Sequence, residues 1–352
     1  MMLQILPMLF VGIIGRSLAL NCTQIPDSQI FAGNTIHLPG NYSTPQTIPA
    51  NFNCIYNITV PVNSTSGLYA NVTLFNGLKG VNDRITVIEM TGYKTVMDKM
   101  SNADNRYIVI PGSFMTIQVT TKSVFMNSQF VVTVDYGNAK IGNTSALNTD
   151  GNMNYFDLNS TRDGENVFSS ATFTDEEPIF MSVSIQEDRV IDCYDCFVID
   201  GTFEKQTQVY RLSTVDFAAF TSKSNAITLV SFHDGFVPFV FNPVSETEQF
   251  KAVFSMATRS DIPNETSLKS FFLGFTEAVE VVNFESSGII MTDLKIYSTT
   301  CQAYVVSGPP NNSSEILLDL STKPKMPYSF ELKFFTVINM DCDFMFGVQS
   351  YA

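Results

Sequence analysis

Hydrophobic and polar positions alternate along much of this chain, and helical spacing over any length is absent. In "MTIQVTT" (115 to 121), Met115, Ile117 and Val119 fall on one face, and Thr116, Gln118 and Thr120 on the other. "FVVTVDY" (130 to 136), "FMSVSIQ" (180 to 186) and "SFELKFF" (329 to 335) repeat the pattern. A period of two is the mark of a strand with one wet and one buried face. Phe, Val, Ile, Thr and Tyr fill the runs and Gly, Pro and Asn punctuate them, so the fold class predicted is all-β.

Two stretches rich in turn formers interrupt the alternation, 138–154 and 258–267. Read as linkers, they divide the chain into 20–137, 155–257 and 268–352, each near the size of one sandwich. A similar order of elements returns in each part. "YANVTLF", "DRITVIEMTG", "YIVIPGSFMTIQVTT" and "FVVTVDYG" in the first correspond to "FMSVSIQ", "CYDCFVIDG", "YRLS" with "NAITLVSF", and "FKAVFSMAT" in the second. The third gives "IIMTDLKIY", "CQAYVVSG", "ILLDL" with "FELKFFTV", and "FMFGVQSY". Gly92, Gly201 and Gly308 close equivalent strands, which predicts an internal triplication.

The opening residues add a compartment. An apolar run from Leu3 to Ile14 precedes Ser17 and Ala19 at the small-residue positions of a signal peptidase site, so 1–19 reads as a secretory signal. Twelve apolar residues fall short of a membrane span, and no stable membrane insertion is expected. Ten Asn-x-Ser/Thr sequons agree with export: Asn21, Asn41, Asn57, Asn63, Asn71, Asn143, Asn159, Asn264, Asn311 and Asn312. The expected localisation is secreted and extracellular. A net charge of −14 with twenty basic residues argues against nucleic acid as a partner.

Six cysteines, Cys22, Cys54, Cys193, Cys196, Cys301 and Cys342, form an even set that an oxidising compartment pairs. Sequence alone allows fifteen connectivities. One bridge per part gives Cys22–Cys54, Cys193–Cys196 and Cys301–Cys342. The Cys193–Cys196 spacing also fits a thiol redox pair, but Asp192 and Asp195 flank it in a strand context and oppose thiolate formation. Zinc would need about four ligands, and the chain has two His. No catalytic residue is assigned: His233 and Asp234 are adjacent, strand neighbours point to opposite faces, and no G-x-S-x-G occurs. Thirty Phe without Trp suit sandwich cores better than sugar platforms. The run "FHDGFVPFVFNP" (232 to 243) reads as a buried strand pair or an apolar binding loop.

With Cys22 and Cys54 bracketing the opening, then "FNCIYNITVP", "LYANVTLF", "ITVIEMTG" and "FVVTVDYG", residues 20–137 resemble the CUB-like domain of secreted nematode proteins. The resemblance implies a two-sheet, jelly-roll-like antiparallel sandwich, no catalysis and a group associated with responses to bacteria. The second part is similar to the wider CUB pattern in Cys193, Tyr194, Asp195, "FVI", Asp200 and Gly201, departing from it at Cys196. Calcium-binding members of that pattern place three acidic residues around one ion; the matching positions are Glu187, Asp195 and Asp234, with a solvated acidic rim as the alternative. No other cofactor is implied. Taken together, these features predict tandem CUB-like sandwiches forming a secreted, glycosylated, non-enzymatic binding protein of innate defence, whose partner is a protein or glycan at an extracellular or microbial surface. The alternatives are a structural matrix or surface-coat component, and an extracellular hydrolase or thiol oxidoreductase.

Overall fold

The computed structural model describes residues 20, 22–62, 67–123, 126–148, 150–158, 168–184, 193, 195–215, 219–232, 237–258, 266–269, 276–284, 288–298, 300–311 and 314–351. These residues build six sheets, which face each other in pairs to form three sandwiches.

The first sandwich is made by β1 (Thr35–Leu38), β2 (Gln46–Thr47), β3 (Asn53–Thr59), β4 (Gly67–Gly77), β5 (Arg84–Ile88), β6 (Lys94–Met97), β7 (Asp104–Val109), β8 (Phe114–Thr120) and β9 (Gln129–Ala139). The sheet β3-β8-β5-β6 packs on the sheet β1-β9-β4-β7, whose β9 also pairs β2. Alternation sets this core: in β3, Cys54, Tyr56 and Ile58 point inward while Asn53, Ile55, Asn57 and Thr59 face water.

The second sandwich comprises β10 (Thr144–Ala146), β11 (Asn154–Asp157), β12 (Ser169–Thr174), β13 (Ile179–Val183), β14 (Cys196–Gly201), β15 (Gln206–Arg211), β16 (Ala219–Thr221), β17 (Ala226–Ser231) and β18 (Pro238–Pro243). Its sheets run β10-β12-β17-β14-β15 and β11-β18-β13-β16. A four-residue helix, α1 (Val244–Thr247), follows. The third sandwich uses β19 (Ala252–Thr258), β20 (Thr266–Lys269), β21 (Thr276–Asn283), β22 (Gly288–Ile296), β23 (Gln302–Ser307), β24 (Ile316–Asp319), β25 (Tyr328–Phe330), β26 (Phe334–Met340) and β27 (Phe344–Tyr351). Its sheets run β19-β21-β26-β23-β24 and β20-β27-β22-β25.

Adding nine to the strand number carries each sandwich onto the next. The orders β3-β8-β5-β6, β12-β17-β14-β15 and β21-β26-β23-β24 are one topology repeated, and so are β2-β9-β4-β7, β11-β18-β13-β16 and β20-β27-β22-β25. Only the first strand of each set departs. β1 pairs antiparallel with β9, whereas β10 and β19 pair in parallel with β12 and β21.

Two details differ from the sequence-based division. The stretch 138–154 contains the end of β9, all of β10 and the start of β11. β10 is short, polar and exposed, so it has no alternation to reveal it and is held by its backbone ladder. "FKAVFSMAT" does not close the second sandwich: Ala252–Thr258 is β19, laid in parallel against β21 of the third. The strand that closes the second is "PFVFNP", β18, with Phe239 and Phe241 in the core, so this apolar run is core rather than a binding loop. Between Thr258 and Thr266, residues 259–265 lie outside the described residues.

The sandwiches stack. Phe168, Phe197, Ile199, Phe203, Val209 and Val230 of the second pack on Tyr69, Ile110 and Ala139 of the first. Phe168 lies 5.9 Å and Phe232 5.5 Å from the Tyr69 ring, both edge-on. At the second junction, Val282 joins Met153 and Val240, and Phe284 meets Tyr155 at 5.1 Å. Strands caught between a core and a neighbour are buried on both faces, which is why β14, β17 and β21 read as continuous runs without alternation.

Candidate functional site

The chain turns Asp27–Gln29 into a short 3-10 turn beside β3, and the tight turn between β7 and β8 brings Gly112 and Ser113 next to it. The Gly112 N–H donates to Val60 O at 2.9 Å, and Val60 N–H donates to Ser113 O at 3.0 Å. From the second sandwich, the turn after β14 reaches across with Phe203, Glu204 and Gln206. These segments enclose a cleft of about 710 Å³ at the first junction.

Gln206 fastens its floor. Its Nε2 donates to Pro111 O at 2.6 Å and its Oε1 accepts from Ser113 Oγ at 2.9 Å. Gly112 adopts φ +77°, and a Cβ there would lie 2.4 Å from Gln206 Nε2 and 2.6 Å from Phe203 O. No other residue type fits that approach. Ile30, Pro61, Val62 and Phe114 give the cleft an apolar wall, and Phe114 stays 60% exposed at its mouth. Asp27 and Glu204 supply carboxylates, and among the described residues no Lys, Arg or His lines it. The arrangement complements a ligand that carries a cation beside an apolar surface.

A second contact crosses the same junction. Arg211 Nη2 donates to Glu89 Oε2 at 2.6 Å, its guanidinium lies 5.2 Å from the Phe197 ring centre, and its Nη1 is 3.7 Å from Asp195. Burial, with Glu89's charge behind it, pushes the Tyr107 hydroxyl up to about 12.

The residues singled out in the sequence fall elsewhere. Disulfides join Cys22 to Cys54, Cys193 to Cys196 and Cys301 to Cys342, with Cα–Cα separations of 5.2, 5.3 and 4.8 Å. Of the acidic trio, Glu187 and Asp234 lie outside the described residues, as does His233, and Asp195 faces a guanidinium. Among the described residues no group of three or more His, Cys, Asp or Glu is arranged to hold a metal ion. Asn41, Asn57, Asn71 and Asn143 are exposed, and Asn311 is half-buried with its Nδ2 on Glu246 Oε1 at 3.1 Å. Asn21, Asn63, Asn159, Asn264 and Asn312 lie outside the described residues. The cleft itself escaped the sequence, because its walls come from segments far apart in the chain. The one local signal was the Pro111-Gly112 turn.

No helix among the described residues is long and apolar enough to cross a membrane. No curated protein matches the chain. Among solved structures it is similar to the CUB1-EGF-CUB2 domains of human MASP-1/3, at 12% identity and a TM-score of 0.22, over 59% of this chain and 98% of that one. A triple jelly-roll protein of an archaeal virus turret assembly is also similar, at 10% identity and a TM-score of 0.24, over 86% of this chain and 82% of that one. By sequence, residues 17–140 match the family model of the CUB-like domain, which spans the first sandwich and ends just past β9.

Proposed function

We propose that this chain is a secreted, glycosylated, non-enzymatic binding protein built from three CUB-like domains, of the kind found in secreted nematode proteins, and that it acts in defence against bacteria. The cleft between the first two sandwiches carries the reading: an acidic, apolar-walled recess whose two sides are fixed by Gln206, Gly112 and Arg211. Such a recess is preorganised, so little ordering cost falls on binding. Its complement is a basic, partly apolar segment of a protein at a microbial or host surface. The signal-like opening, the sequons and the disulfides support export.

The test is a pull-down of purified glycoprotein against microbial cell-wall and host-surface extracts, comparing wild type with Asp27→Lys/Glu204→Lys. A partner held by wild type, weakened by salt and lost by the double variant is the expected result; equal retention by both refutes the cleft as the site.

The repeated face-to-face stacking favours a second reading, a structural coat component, because a contact of unlike faces extends without closing. Purified protein that polymerises spontaneously and retains no surface ligand is the outcome that selects it.

A further inference from the structure

The nine-strand repeat puts three residues in one position. Asn57 of β3 pairs with Thr116, which pairs with Ile88. The same row in the second sandwich is Thr172–Thr228–Ile199 and in the third Glu280–Thr336–Val306. Local sequence agrees: Val-Ile-Glu, Val-Ile-Asp and Val-Val-Ser run across Ile88, Ile199 and Val306, and each central threonine sits between apolar residues. Thr228 and Thr336 donate their hydroxyls to Gly201 O and Gly308 O at 2.8 and 2.7 Å.

In the second and third sandwiches this row lies in a buried face that packs against the preceding sandwich. Thr172 and Thr228 bond to one another at 2.9 Å in the interior, Ile199 belongs to the first junction, and Glu280 accepts from Asn242 of the second sandwich at 2.8 Å. In the first sandwich no other sandwich among the described residues covers the corresponding face: Asn57 is exposed, Ile55 is 45% exposed and Ile88 40%. The face that docks twice is left open once. At the other end of the stack, the sheet of β22 and β27 presents the half-buried Ile290 beside the exposed Gln349. A second copy laid on in register would bring that sheet against the open face.

Asn57 is also the first residue of the sequon Asn57-Ile58-Thr59. Its Oδ1 accepts from Thr116 Oγ1 at 3.0 Å, which steadies the amide, and it projects from the exposed side of β3. We infer that an N-linked glycan on Asn57 caps this open face and stops the stack of sandwiches from being continued by a second copy of the chain. A branched sugar at the β3 end of the row occupies the place that Asn242 of the preceding sandwich takes against Glu280. The inference rests on the proposed secretory, glycosylated state.

The experiment uses the full chain exported from a eukaryotic cell, with glycopeptide mass spectrometry and sedimentation over a wide concentration range. Expected are sugar on Asn57, a wild type that stays monomeric, and Asn57→Gln and Asn57→Thr variants whose average mass at least doubles as concentration rises. Asn71→Gln serves as a control and stays monomeric. Asn57→Gln/Ile55→Arg, which places a charge on the same face, returns to monomer. Unmodified Asn57 beside modified Asn71 or Asn143 overturns the inference while leaving the secretory reading intact, and so does an Asn57 variant that folds and remains monomeric throughout. Absence of sugar from every sequon instead removes the secretory reading on which the inference stands.

Discussion

Glu89 of the first sandwich and Arg211 of the second are joined across the junction by a 2.6 Å contact, with side chains only 10% and 22% exposed. Glu89 lies just after β5 and Arg211 ends β15, strands with no ladder in common, so this ion pair and the Gln206 contacts add side-chain ties to the apolar junction. Arg211→Met is expected to lower stability by about 1–3 kcal/mol, since Glu89 is left half-desolvated without its partner. A double-mutant cycle with Glu89→Gln, read by thermal unfolding, should give a coupling of about 1 kcal/mol. Additive effects would show that the pair does not act as a latch.

Two buried carboxyls give the pH profile opposite slopes. Glu280 is fully buried between the second and third sandwiches, and desolvation, reinforced by the charge of Glu246, pushes it up to about 8. The folded state therefore binds more protons than the unfolded state from the ordinary glutamate value of 4.5 up to about 8, and stability falls as pH rises through that window. Burial pushes Asp83 up, but the Ser128 hydroxyl and the Lys122 and Ser123 N–H groups outweigh it and hold the carboxyl below 3.8. Its contribution is present above that value and lost as pH falls through the lowered one. Unfolding midpoints from pH 3 to 9 should show both limbs. Glu280→Gln should flatten the upper one and Asp83→Asn the lower one.

The disulfides should differ in weight. Cys301–Cys342 closes 41 residues and Cys193–Cys196 closes three. Loop-closure entropy assigns about 4 kcal/mol to the first and about 1.5 kcal/mol to the second. Replacing each pair with serine and measuring denaturant midpoints tests the order; an equal loss from both would mean that unfolded-chain entropy does not set their worth.

Gly112→Ala should reshape the cleft. The new Cβ meets Gln206 Nε2 and Phe203 O well inside contact distance and sits at a φ that L-residues rarely adopt. A loss of about 1–3 kcal/mol is expected, together with increased proteolysis at the first junction. An unchanged digestion pattern would show that the junction tolerates the shift.

What could be read from the sequence followed from where water lies. β3 and β8 keep one wet face, so "NCIYNIT" and "FMTIQVT" alternate and their buried positions are legible in the sequence, whereas the short β2 and β6 leave no such pattern. β14, β17 and β21 lie between a core and a neighbour, so "CFVIDG", "AITLVS" and "TEAVEVVN" carry strand identity but no indication of which face meets which partner. Stacking leaves no local pattern for that reason, and the sequence order groups β19 with the second sandwich because its parallel partner β21 comes later in the chain. The cleft joins Asp27 to Glu204, a separation that no local pattern spans.

One position in the repeat lives in three environments: open water at Asn57, a hydroxyl ladder at Thr172 and a dry seam at Glu280. Copies that begin alike but come to rest in such different surroundings are filtered by different rules. The outermost position meets only water, whereas those inside must also fit a neighbouring sandwich. The order of strand pairing is common to all three sandwiches, while the residue at this position follows the surroundings in which each one sits.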